Sequence, residues 1–147
     1  MEEPGRRIVK TEIHGNGTAL PWIDPTAFLL RAIAMALADR ASFGTPDNCT
    51  FFDRGLIDAA VGLQHLTGEP VLAKLGQLHR YHQCVFLTPP WPQINVQDQE
   101  RRHSLESAMD EYSRLLDAYP SLGYDVFVLP KVSVTERADF VLSTLNS

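Results

Sequence analysis

Thr50-Phe51-Phe52-Asp53-Arg54-Gly55 is the stretch on which the fold turns. A short apolar run ends abruptly in a carboxylate, a guanidinium and a glycine, and apolar residues at helical spacing begin at Leu56. In an open α/β sheet, ligands bind where a strand stops and the next helix starts. Asp53 at such a junction can hold magnesium, directly or through water, or accept a proton from a substrate hydroxyl. Arg54 beside it can clamp a phosphate with two parallel N–H donors. The same dipeptide also fits an aspartate that caps the following helix and an arginine in a surface ion pair. Taken alone, it fits that second description slightly better.

Working outward, Cys49–Phe52 reads as a strand and about Leu56–Leu66 as the helix after it. Gly68-Glu69-Pro70 breaks that helix, and another covers roughly Val71–Tyr81. Cys84–Thr88 is short and almost wholly apolar, the pattern of a strand buried on both faces of a parallel sheet. Pro89-Pro90-Trp91-Pro92 stops it. The longest helix spans about Asp98–Tyr119, with Leu105, Ala108, Met109, Tyr112, Leu115, Leu116 and Tyr119 at the helical period. Pro120 and Gly123 end it, Asp125–Leu129 forms a third strand, and Ser133 with Glu136 makes a capping box for a last helix to about Leu145. Upstream, Asp24-Pro25 starts a helix to about Ala41, its apolar face being Phe28, Leu29, Ala32, Ile33, Ala36 and Leu37. Gly44, Pro46, Asp47 and Asn48 form a loop, and residues 1–24 read as irregular. Short strands alternating with helices predict an α/β domain with right-handed parallel crossovers.

The 147 residues suit one domain, 1–147, with a core of its own. With 44% hydrophobic and 21% charged residues, the composition is that of an ordinary globular protein. A net charge of −5 argues against a nucleic-acid surface. No apolar run approaches a membrane span, and the N-terminus lacks the apolar core of a signal peptide. Cys49 and Cys84 read as buried reduced thiols of a cytoplasmic protein. His79, His82 and Cys84 have ligand-like spacing but no fourth partner, so metal binding there is the minority reading.

Two basic clusters stand out. Arg101 and Arg102 lie near the start of the longest helix, where the dipole disfavours cations. They fit either a lid that reaches for nucleotide phosphates or a solvated turn pairing with Asp98, Glu100 and Glu106. Glu3, Arg6 and Arg7 surround Pro4-Gly5, and fit either a cleft wall or, better on sequence alone, a frayed terminus. The chain contains no Gly-x-x-x-x-Gly-Lys-Ser/Thr loop.

Five stretches in one order resemble the NadR-type AAA domain. They are Glu3-Pro4-Gly5-Arg6-Arg7; Ala19-Leu20-Pro21-Trp22 with Asp24 and Phe28; Phe51-Phe52-Asp53-Arg54-Gly55 with Asp58; Pro89-Pro90-Trp91-Pro92; and Asp98 with Glu100-Arg101-Arg102. That group of P-loop NTPases is related to nicotinamide riboside kinase and, more distantly, to thymidylate kinase-like enzymes.

The resemblance implies a domain that binds ATP or GTP with magnesium and passes a phosphoryl group to a small-molecule acceptor. Asp53 then matches the metal- and acceptor-side acid, and Arg54 the substrate-side arginine. Arg101 and Arg102 match arginines of a lid over about 92–103. Glu3 and Arg6 match the acceptor-binding segment, and Arg137 lies where such kinases approach the base.

In that family a strand, the phosphate loop, its helix and a second strand precede Glu-Pro-Gly-Arg, and here Met1 stands at that point. The expectation is an N-terminally truncated domain. It would be a three-stranded parallel remnant, with strands near 49–53, 84–88 and 125–129 flanked by about five helices, and with little or no activity alone. The alternative is a non-catalytic α/β interaction protein.

Overall fold

A computed structural model describes residues 1–43, 49–91 and 99–147, the side chains of 99–103 excepted. The chain forms two compact units, Met1–Arg80 and Tyr81–Ser147. Among the described residues there are six helices and two strands.

The first unit is helical. α1 spans Pro4–His14, α2 Pro25–Ser42, α3 Leu56–Thr67 and α4 Val71–Leu78. α2 starts as its sequence predicts, with Asp24 Oδ1 accepting the Ala27 N–H at 3.1 Å and Pro25 in the first turn. It buries Ala32, Ile33 and Ala36. α3 is the most apolar element and buries Leu56, Ile57, Ala59, Ala60, Val61 and Leu63. Gly62 lets α2 approach closely, since a Cβ there would stand 3.3 Å from a Leu29 methyl. Gly68 closes α3 at φ 76, a left-handed conformation that glycine adopts without steric cost.

Two expectations fail in this unit. Residues 4–14 are not irregular but form α1, begun by Pro4 behind Glu3. Residues 49–53 form no strand. Met1 bridges this segment: its amino group donates to the Phe51 carbonyl at 3.0 Å. Its carbonyl in turn accepts the Asp53 N–H at 3.4 Å. That is one bridge of a parallel ladder, and a strand needs a continued row of partners.

The second unit holds a two-stranded parallel sheet, β1 (Cys84–Leu87) with β2 (Asp125–Val128), in the register Cys84↔Asp125 to Leu87↔Val128. The expected sheet of three strands is thus two, and about five helices are six. Phe86 and Phe127 face each other across the register at 5.8 Å. α5 (Gln99–Ser121) packs on both strands and buries Leu115, Ala118 and Tyr119. Gly123, at φ 86, turns the chain into β2, and the buried Tyr124 accepts the Tyr81 N–H on its hydroxyl at 3.0 Å. The remaining loop, 44–48, lies outside the described residues.

α6 (Val134–Leu145) shows the predicted capping box. Ser133 Oγ accepts the Glu136 N–H at 3.2 Å, and Glu136 Oε2 accepts the Ser133 N–H at 3.0 Å. The Ser133 side chain, then its backbone, lower the Glu136 pKa. A carboxylate depressed in the folded state stabilises it at neutral pH, and that stabilisation is lost as pH falls through the folded value. α6 buries none of its residues, so its first turn depends on this cap. Amide exchange at Glu136 is expected to speed up, beyond the intrinsic pH effect, as pH drops below ~4. Ser133→Ala should remove that extra acid dependence, and an unchanged profile would show that the box does not hold the turn.

Candidate functional site

The best-built polar region lies in the first unit, where α1 meets α2 and the segment before α3. α1 docks through the fully buried Ile8 and through Arg7. The Arg7 guanidinium forks onto Asp39 of α2, with Nη1 donating to Oδ1 at 3.2 Å and Nη2 pairing with Oδ2. This hydrogen bond raises the Arg7 pKa, outweighing burial, which lowers it. A second ion pair joins Arg31 of α2 to Glu12 of α1. Lys10 bonds Glu2 at 2.9 Å and lowers the Glu2 pKa.

α1 begins next to the stretch Phe51–Gly55. The two Met1 backbone bonds fix Phe51 and Asp53, while Gly55 donates its N–H to Asp58 Oδ2 at 3.2 Å, capping α3. Arg54, between these anchors, adopts φ 57. A side chain in that region costs about 1–2 kcal/mol, and such strain is kept where surrounding contacts over-determine it, commonly at functional sites. Arg54 Nε lies 3.6 Å from Glu3 Oε1.

Three of the expected residues therefore share one neighbourhood: Asp53, Arg54 and Glu3. The Asp53 carboxylate is exposed and takes no hydrogen bond or ion pair among the described residues, whereas Asp58 does the capping. Arg6 is exposed on the first turn of α1. Arg101 and Arg102 lie in the backbone of the first turn of α5, but their side chains and residues 92–98 of the lid fall outside the described residues. Arg137 stands in the second unit, on the first turn of α6, with a buried Nε that has no hydrogen-bond partner among the described residues.

Several residues of the five stretches have architectural duties. Asp24 caps α2, Asp58 caps α3, and Gly5 leaves room for Phe28, whose Cζ would stand 3.1 Å from a Cβ at that position. Cys49 is exposed and Cys84 half-buried, so the expected burial of both thiols is corrected. His82 Nδ1 accepts the Cys84 N–H at 3.1 Å. Among the described residues, no three His, Cys, Asp or Glu gather as metal ligands.

Sequence reasoning missed the Arg7–Asp39 fork and Arg114, on α5, which shares with Arg137 a buried Nε without a partner among the described residues. The fork left a signal. Asp39 follows Ala36 at the next helical step of an apolar stripe, and an acid there needs a partner. Nothing in the sequence marks Arg114.

A family model described as an AAA domain matches residues 1–137. No curated protein and no solved structure matches the chain. No described helix is long and apolar enough to cross a membrane.

Proposed function

The chain belongs to the AAA domain family, a P-loop NTPase-like group whose members typically use magnesium with a nucleotide, and on that premise we propose that these residues form the acceptor side of a NadR-type small-molecule kinase. The observation that carries the proposal is the exposed Asp53 carboxylate, which takes no partner among the described residues, next to an arginine held in a strained backbone conformation.

Asp53 is a hard oxygen donor of the kind that binds magnesium directly or through water. One carboxylate with phosphate oxygens and water suffices for that ion, so the residue fits the role. Magnesium, when bound, neutralises charge on the phosphates. In a domain that also carries the phosphate loop, Asp53 would take the proton of the acceptor hydroxyl as the hydroxyl oxygen bonds to the γ-phosphorus. The bond from that phosphorus to the β–γ bridging oxygen breaks, and the nucleoside diphosphate leaves. Arg54 holds an anionic group of the acceptor, and Glu3 and Arg6 flank that side. In the second unit, taken by itself, the family resemblance alone gives Arg101 and Arg102 the lid contacts to phosphate and Arg137 the approach to the base. The nucleotide, ATP or GTP, and the small acceptor are the partners. The chain works in the cytoplasm.

These 147 residues hold no Gly-x-x-x-x-Gly-Lys-Ser/Thr loop, hence no lysine or backbone nest for the β- and γ-phosphates. Calorimetry with MgATP or MgGTP is therefore expected to show no saturable heat, and micromolar affinity would overturn this point. Magnesium with inorganic pyrophosphate should nonetheless shift the Asp53 and Arg54 resonances, and Asp53→Asn should abolish the magnesium dependence. Unmoved resonances would overturn the acceptor-side assignment.

A second reading, a non-catalytic interaction protein, draws on the sheet. With two strands described, β1 and β2 are both edge strands, and edges template pairing with another chain.

A further inference from the structure

Among the described residues, β1 is paired on one side only, by β2. The Gln83 carbonyl accepts the Asp125 N–H at 2.9 Å and the Leu87 carbonyl accepts the Leu129 N–H at 2.9 Å. In a parallel ladder this alternation turns the backbone groups of residues 83, 85 and 87 toward β2 and those of Cys84 and Phe86 toward the outer edge. At that edge the Cys84 N–H is taken by His82 Nδ1 at 3.1 Å, an imidazole standing where the carbonyl of a further strand would be. The Phe86 N–H and C=O take no partner on that side among the described residues.

We propose that the outer edge of β1 pairs antiparallel with the same edge of a second copy of this chain, Phe86 lying opposite the partner's Phe86 and Cys84 opposite the partner's Thr88. The proposal rests on the second reading above, in which the sheet edge is an interaction surface, and supplies its partner. Charge selects a second copy. In a two-fold contact each patch meets itself, so a charged patch repels its own image. From Tyr81 to Gln97 the sequence has no Asp, Glu, Lys or Arg, although 21% of the whole chain is charged and its net charge is −5. The edge of β2 differs, since it opens on the exposed Asp125. Packing points the same way. Phe86 and Phe127 already lie 5.8 Å apart across β1 and β2, and directly opposed residues on antiparallel strands stand about 5 Å apart, so the two phenylalanine pairs would join into one row on one face. Pro89 has no N–H to donate, which ends the pairing after Thr88 and keeps the contact small. His82 opposes association, because it satisfies a donor that the partner strand would otherwise satisfy.

Sedimentation of the 147-residue chain, with amide exchange as a second readout, tests this. The chain should pass from monomer to dimer with a midpoint of about 10–100 μM, as suits a small interface. Exchange at the Phe86 amide should slow as concentration rises. Phe86→Lys sets like charges opposite each other and should weaken the dimer at least about tenfold. His82→Ala, at an exposed position, leaves the Cys84 N–H without its internal acceptor and should tighten the dimer by about threefold to tenfold. A chain that stays monomeric to ~1 mM would overturn the second copy as partner, while leaving the edge to a foreign strand. A dimer whose Phe86 amide exchanges at the monomer rate would overturn β1 as the surface itself. Unchanged or weaker association of His82→Ala would overturn the pairing at Cys84.

Discussion

Replacing Ile8 by alanine is expected to lower the stability of the first unit by about 3 kcal/mol. The side chain is fully buried, and with Pro4 it makes up all that α1 buries. Removing it deletes the transfer free energy of three carbons and leaves a cavity that the α2 side chains can fill only partly. α1 has 11 residues, too few for a helix to persist in water without docking. The loss should therefore appear as release of the whole helix. Urea denaturation followed by circular dichroism gives the magnitude, and amide exchange across 4–14 shows whether α1 goes first. A change below ~1 kcal/mol would mean that α1 is not docked through Ile8. Release of α1 also carries Glu3 away from Arg54.

That helix is the part of the first unit least legible in the sequence, and the reason is physical. Glu3-Pro4 is the same kind of start as Asp24-Pro25, an acid followed by proline. After Asp24-Pro25 comes a broad apolar face. After Glu3-Pro4 the chain offers only Ile8, Val9 and Ile13 among charged residues, so the period is faint. α1 is held at two points, Ile8 and Arg7, and one of those is an ion pair that no hydrophobic pattern reports. The opposite error came at 49–53. Aromatic and apolar residues there satisfy the local preferences of a strand, but a strand is a pairing property, and Met1 supplies a single bridge. β1 and β2 were legible because they pair with each other in register over four residues.

The site divides along the same line. Asp53 and Arg54 were visible as an acid and a base at the end of an apolar run. Of the contacts around Arg54 only the Gly55–Asp58 cap is local: Glu3 lies 51 positions earlier and Met1 further still, so the ion pair appears only in three dimensions. The capping duties of Asp24, Asp58 and Ser133 lay within three residues of their partners and were open to sequence reasoning. Only the first and last of these follow unambiguously from the local sequence. Asp58 competed with Asp53 for the same cap, and the structure gives it to Asp58.

The Arg7–Asp39 fork yields the second large effect. Asp39→Ala is expected to cost about 2 kcal/mol, below the value for a fully buried pair because Arg7 remains 27% exposed and Asp39 11%. The deficit comes less from lost attraction than from what remains. The Arg7 Nε is already buried without a partner among the described residues, and removing Asp39 leaves Nη1 and Nη2 to be desolvated as well. Asp39→Asn keeps one acceptor and should lose about half as much.

Arg7→Met with Asp39→Leu removes both the charges and the need to satisfy them, and should return close to wild-type stability. Such recovery would mark the fork as a device for docking α1 in one register, with little net stabilisation of its own. A double variant as unstable as Asp39→Ala would show that the pair stabilises outright. The sign with pH is also fixed. A guanidinium whose pKa is raised in the folded state contributes fully below its unfolded value and loses that contribution only in strong alkali. Deprotonation of Arg7 therefore cannot release α1 between pH ~5 and ~9. The position of Glu3 beside Arg54 thus rests on a helix whose arginine anchor stays charged throughout that range.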